Sequence, residues 1–285
     1  MKNSVVSFGK ENNISGILTE PAQDYNKDRP IAIFLNGGII SKIGPNGIYV
    51  KIVRILADAG FASLRFDFSG IGENFSYNEE LTFEESQVED TRYAMSFLEE
   101  ATGVNHFVLI GLCTGADACY LASSDERVTG IIPINGSLID RNTLIRLTPI
   151  AQNIISSRYY KKHLFDYRRW LKFFTGKSQV TKSVKKLLRR KRPARKSSSI
   201  DTNASYFREI VERLNVPKTL LVYSEGSITY DIFNLSIAKD VFKKLGGSSN
   251  IECKILKDID HTFTLQWSQE YLASLIKNWM LVKFY

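Results

Sequence analysis

Apolar and polar positions follow two rhythms along this chain. Residues 31–35 form an unbroken apolar run of strand length, and Tyr49, Ile52, Val53 and Leu56 then recur at helical spacing before Gly60. A short continuous apolar run is the mark of a strand buried on both faces, and recurrence at three and four residues marks a helix with one buried face. The pair repeats. A strand over 61–66 is followed by Thr82-x-x-Glu85, the pattern of a capping box, and by a helix whose apolar face carries Val88, Thr91, Met95 and Leu98. A third strand over 106–110 precedes a helix-like run at 116–121. Further strands are predicted at 128–134, 219–223 and 251–256, and Leu272, Leu275, Ile276 and Trp279 predict an amphipathic C-terminal helix. Repeated strand–helix units predict an α/β fold with a mostly parallel sheet and helices on both faces, because parallel strands need crossover connections. No internal repeat is present.

Composition changes this picture in one place. The 285 residues are 44% hydrophobic, enough for a large core. The charge, however, is uneven. Residues 158–196 hold 16 Lys or Arg and one acid, Asp166, so that segment carries +15 of a chain total of +8 and leaves the remainder at −7. A mildly acidic body therefore carries a strongly basic insert, and the chain is expected to divide into a first core part (1–137), a basic helical insertion (138–210) and a second core part (211–285). Aromatic residues from Tyr159 to Phe174 interleave with the charges of the insert, whereas nine of the fifteen residues at 182–196 are Lys or Arg. Such a segment suits an acidic partner or an anionic surface, or is a solvated run. The N-terminal residues lack the apolar stretch of a signal peptide, and no apolar run approaches the ~20 residues of a membrane span, so a cytoplasmic protein is expected. Three cysteines, Cys113, Cys119 and Cys253, lack disulfide or zinc spacing and are expected to be free thiols, with no metal and no cofactor.

The candidate chemistry sits at Gly111-Leu112-Cys113-Thr114-Gly115, between the strand at 106–110 and the helix at 116–121. This reads as a nucleophile elbow with cysteine in the place of serine. The sharp strand-to-helix turn holds the nucleophile in a strained backbone conformation, and the residues two before and two after it must be nearly free of side chain. Gly111 and Gly115 meet that need. A catalytic cysteine acts as a thiolate, so a base or cation is expected to lower its pKa from the ~8.5 of a free thiol.

The order of elements, the elbow and Asp67-x-x-Gly70-x-Gly72 resemble the α/β-hydrolase superfamily over nearly the whole chain outside the insert. More narrowly, Leu35-Asn36-Gly37-Gly38, residues 66–72, Gly111-Leu112-Cys113-Thr114-Gly115-Ala116 and Asp260-His261-Thr262-Phe263 resemble the cysteine hydrolases of exosortase and exopolysaccharide systems. The resemblance implies an α/β-hydrolase fold with the insert as a basic cap over the site, and a nucleophile, acid, histidine order along the chain. Of the three histidines, His106 lies at the entry of a strand, on the wrong end, and His163 lies within the basic insert. His261, in the loop after the last strand, is the expected base. The acid should follow the strand at 219–223, where the superfamily's usual aspartate position falls on Ser227; the nearby carboxylates are Asp231, preferred, and Glu225. A Cys-His dyad without an orienting acid is the third arrangement. Asp260 is expected to point away from the site, and Asp67 to bond turn backbone. The oxyanion hole should combine the backbone N–H of Thr114 with that of Gly38 or Ile39.

The activity expected is ester or thioester hydrolysis through an acyl-Cys113 intermediate. Two alternatives stand beside it: transfer of the same acyl group to an alcohol or amine, as in polyester synthases with a G-x-C-x-G elbow, and a non-catalytic binding protein on a hydrolase scaffold. The partners implied are an acyl substrate, on an acidic acyl carrier protein or an anionic saccharide, and a peripheral contact of the basic cap with anionic surfaces; nucleic acid is not expected.

Overall fold

The strand–helix rhythm of the sequence persists in the computed structural model, which describes residues 1–22, 26–74, 80–137, 145, 147–152, 218–235 and 250–285. The strands are β1 (Lys2–Phe8), β2 (Ile14–Glu20), β3 (Ile31–Leu35), β4 (Ser63–Phe66), β5 (Phe107–Leu112), β6 (Val128–Ile134), β7 (Lys218–Ser224) and β8 (Ile251–Leu256). They form one sheet in the order β1-β2-β4-β3-β5-β6-β7-β8. β2 pairs antiparallel with both β1 and β4, and every pair from β4 to β8 is parallel. Among the described residues, the helices of at least eight residues are α1 (Ile48–Asp58), α2 (Phe83–Thr102), α3 (Thr114–Ala122), α4 (Ile228–Leu235) and α5 (Gln266–Phe284).

The alternation of side chains across each strand divides the core into two layers. Ile31, Ile33 and Leu35 of β3 face α2 and α3 in a cluster with Met95, Leu98, Ala118 and Cys119, while Ala32 and Phe34 face α1 and α5 with Ile52, Leu56, Leu272 and Ile276. All five β3 residues are buried, which explains why that strand reads as a continuous apolar run. Each Ile, Phe or Leu side chain among them contributes about 1.5–3 kcal/mol when fully buried.

Local signals place the helices as predicted, with ends shifted by a few residues. Thr82 and Glu85 form the capping box, Thr82 Oγ1 accepting from the Glu85 amide at 3.2 Å and the Glu85 carboxylate accepting from the Thr82 amide at 2.8 Å. The strand expected at 61–66 begins at Ser63, and that expected at 106–110 runs from Phe107 to Leu112. The predicted insertion lies between β6 and β7, which are neighbours in the sheet. Its aromatic and basic runs lie outside the described residues. Within it, residues 147–152 are helical, and Leu147 and Ala151 pack on Ile228 and Ile232 of α4. No helix among the described residues is long and apolar enough to cross a membrane.

Strand order fixes where a site can form. The chain steps from β3 outward to β4 and then back across β3 to β5, so the connections leave β3 and β5 in opposite directions and open a crevice beyond their C-terminal ends. The loop at 36–44 leaves β3 there, and Cys113 follows β5.

Candidate active site

Cys113 has φ 60° and ψ −119° and is the residue before α3. A side-chain-bearing residue in that region costs on the order of 1–3 kcal/mol and persists only where its surroundings enforce it. Here they do. A Cβ on Gly111 would overlap the Gly115 carbonyl, and one on Gly115 would overlap the Leu35 carbonyl and lie 3.0 Å from that of Asn36. The two glycines thus let strand, turn, helix and the end of β3 share one small volume. Gly37 extends the contact, since a Cβ there would overlap the Leu112 carbonyl. Tyr49 of α1 staples the same strand ends from the other face, its hydroxyl donating to the Leu35 carbonyl at 2.9 Å and accepting from the Leu112 amide at 3.0 Å.

The loop carrying Gly38 and Ile39 is anchored by Asp67, as expected of that residue. The Asp67 carboxylate accepts from the Lys42 amide, from Lys42 Nζ at 2.9 Å and from Asn36 Nδ2 at 3.3 Å. Burial pulls the Lys42 ammonium down, but its bonds to Asp67 and Glu73 outweigh this and raise its pKa.

His261 lies in the loop between β8 and α5, and two side chains hold it. Asn135, fully buried at the end of β6 with φ 53°, donates from Nδ2 to the His261 carbonyl at 3.0 Å and accepts at Oδ1 from the Ser224 amide at 2.8 Å. Ser227 Oγ lies 2.7 Å from His261 Nδ1 and 2.6 Å from Thr229 Oγ1, and it accepts from the Thr229 amide at 3.3 Å. With Nδ1 carrying the proton and Ser227 donating to Thr229, all of these bonds are made and Nε2 is the basic nitrogen; with Ser227 donating to Nδ1 and accepting from the Thr229 hydroxyl they are made as well, so the contacts orient the ring in either tautomer. The Cys113 amide donates to the carbonyl of Ile134, the residue before Asn135, at 2.9 Å. Nucleophile turn and histidine loop are therefore tied to consecutive residues at the end of β6.

Neither carboxylate expected to orient the histidine occupies its Nδ1. Glu225 is exposed in the turn after β7, Asp231 is buried in the first turn of α4, and the Nδ1 hydrogen bond goes to Ser227, the position of the resemblance's usual aspartate. Asp260 turns away as expected: it accepts from the amides and hydroxyls of Thr262 and Thr264, at 2.9–3.2 Å. Burial raises its carboxyl pKa, and these bonds overcome that and pull it below the usual range. His106 immediately precedes β5, at the opposite end of the sheet from Cys113.

The electrostatics depart from expectation. Burial raises the Cys113 thiol pKa, the Thr114 backbone N–H facing the sulfur offsets part of that, and Asp117 raises it again. Burial also lowers the His261 pKa, only partly countered by Asp260. Burial thus outweighs the helix N-terminus at Cys113, and the shifts of both groups favour their uncharged forms. The oxyanion loop brings another difference. The Gly38 amide donates to Thr114 Oγ1 at 2.6 Å, while the Ile39 amide has no acceptor among the described residues.

Sequence reasoning missed Asn135. Its signal was an Asn-Gly pair at a strand end, where asparagine tolerates the left-handed conformation better than most residues. Cys113, Cys119 and Cys253 are free, and no three metal-ligating side chains converge among the described residues.

No family model and no curated protein matches the sequence, whereas solved structures do match the fold. An esterase of Pyrococcus furiosus superposes with a TM-score of 0.60 at 14% identity, over 99% of this chain and 93% of that one. An α/β serine hydrolase homologue from Coxiella burnetii matches at 0.57 and 12% identity over 97% and 96%, and a proline iminopeptidase from Mycobacterium smegmatis at 0.57 and 13% over 99% and 98%. Sheet order, the turn at Cys113 and these likenesses together establish that the chain has the α/β-hydrolase fold.

Proposed function

We propose that this protein is an enzyme, a cysteine-dependent hydrolase of esters or thioesters that works through acyl-Cys113 with His261 as general base. The observation that carries the reading is the backbone of Cys113, held at φ 60° between β5 and α3 by the close packing that Gly111 and Gly115 allow. Strain of this kind points to function when the surroundings over-determine it. The fold's neighbours, esterases and serine hydrolases among them, support a hydrolytic reading.

In this reading Nε2 of neutral His261 takes the Sγ proton as sulfur attacks the acyl carbon, and the carbonyl π pair moves onto oxygen. The tetrahedral adduct collapses, the bond to the leaving group breaks, and the alcohol or thiol departs with the proton from Nε2. Water, deprotonated by the same nitrogen, then attacks the acyl-cysteine carbonyl and returns the thiol. Ser227 brings no charge, so it orients the ring without stabilising the imidazolium as a carboxylate would. The motif resemblance to cysteine hydrolases of exopolysaccharide systems supports an acyl group borne by a saccharide or an acidic carrier, in a cytoplasmic setting.

The test is incubation of the protein and its Cys113→Ala variant with short acyl thioesters and activated esters, followed by intact mass and adduct mapping. A Cys113 adduct absent from the variant is expected. Folded protein that acylates with none of these donors refutes the reading.

A further inference from the structure

We infer that the Thr114 hydroxyl is itself an oxyanion donor, and that the Gly38 amide serves to hold this hydroxyl instead of meeting the substrate. The inference rests on the acyl-Cys113 reading above and assigns a catalytic residue within it. The Gly38 amide is already satisfied: it donates to Thr114 Oγ1 at 2.6 Å, across the crevice between the end of β3 and the start of α3. A carbonyl oxygen approaching that amide meets the Thr114 oxygen in its place. The hydroxyl accepts from Gly38 through one lone pair, and its own proton has no acceptor among the described residues. A half-buried hydroxyl in that state has one donor to give, and the amide bond it accepts polarises it toward giving it.

Position supports the role. Thr114 directly follows the nucleophile, and its backbone N–H faces the Cys113 sulfur. One residue thus carries two donors beside the attacking atom. Branching at Cβ limits Thr114 to few rotamers, and the bond from Gly38 selects among them, so the hydroxyl is fixed before substrate arrives. The loop cannot retreat to free its amide without moving Gly37, whose backbone lies against the Leu112 carbonyl. In the reaction no proton leaves Thr114: as the S–C bond forms and the π pair moves onto oxygen, the hydroxyl hydrogen-bonds the oxyanion, and the contact relaxes when the leaving group departs with the proton from His261.

Single-turnover acylation of Cys113 by a short acyl thioester, followed by mass, tests this in the wild type, Thr114→Val and Thr114→Ser. Alkylation of Cys113 by iodoacetamide is measured beside it, because displacement at a saturated carbon develops no oxyanion. The valine variant is expected to lose about 10²–10³-fold in acylation, the usual effect of removing one oxyanion donor, with alkylation unchanged, and serine to restore most of the rate. Valine acylating as fast as wild type or faster overturns the inference and assigns the second donor to the Gly38 or Ile39 amide. Equal loss in acylation and alkylation, or serine behaving as valine, overturns it as well. Wild-type protein that alkylates at Cys113 but never acylates overturns the acyl-Cys113 reading, and this one with it.

Discussion

Burial favours the protonated thiol at Cys113, a direction opposite to that of cysteine enzymes built on a thiolate–imidazolium pair. Burial and Asp117 raise the thiol, burial lowers His261, and the histidine's orienting partner is a neutral hydroxyl. The sign of the pH dependence follows. Alkylation requires thiolate, so its rate at Cys113 should climb through the alkaline range with a midpoint above the ~8.5 of a free thiol. Hydrolysis needs only neutral His261, so its acid limb should lie below the ~6.5 of ordinary histidine. Alkylation already at its plateau at neutral pH would show an ion pair and count against this account. At this scale the sequence was legible wherever chemistry is local. Gly111, Cys113 and Gly115 define their turn by spacing alone. Ser227 stood out as a departure, yet the carboxylates beside it drew the orienting role, because a sequence lists acids without showing which side chain reaches the imidazole.

Among the elements, α1 does more than cover the sheet. Tyr49, buried against Phe34, bridges the last carbonyl of β3 and the last amide of β5, where the two strands part to open the crevice. Tyr49→Phe should leave both backbone groups without their buried partner and cost about 1–3 kcal/mol. Denaturant unfolding would register this as a lower midpoint at unchanged m-value; an unchanged midpoint would mean the groups find other partners. Strands β3 to β7 and helices α1, α2 and α5 were readable because each buries a full run or a full stripe. The N-terminal hairpin was not. β1 is an edge strand with alternating exposure, and Val5 is 84% exposed, so its apolar residues do not form a recognisable face. α4 is short, and its two-sided packing against β7 and the helical residues 147–152 blurs its period.

At the scale of the whole molecule, the charge is concentrated in one stretch of sequence. Residues 182–196 hold nine Lys or Arg and no acid, and their removal takes the net charge from +8 to −1. If the basic run draws an anionic acyl substrate or carrier, KM for such a donor should rise with salt in the full chain and lose most of that salt dependence once 182–196 is excised, while turnover of a neutral ester stays the same. Equal salt response in both proteins would remove the run from substrate capture. The crevice is itself asymmetric. Its nucleophile side is locked by backbone against backbone at Gly37, Gly111 and Gly115, whereas on its histidine side backbone contact joins Gly226 to Ile259 and His261 itself is held by two side chains, Asn135 and Ser227.

That asymmetry gives the site a chemical lifetime. Asn135 precedes Gly136, and an asparagine followed by glycine readily cyclises to a succinimide and deamidates when the glycine amide can swing onto the side-chain carbonyl. Here both ends of the Asn135 amide are engaged and the residue is fully buried, so ring closure has to wait for the end of β6 to open. Each conversion to aspartate would replace the donor to the His261 carbonyl with an acceptor. The slow accumulation of that aspartate in stored protein would thus record how often the histidine side of the crevice breathes, written into the covalent structure one side chain at a time.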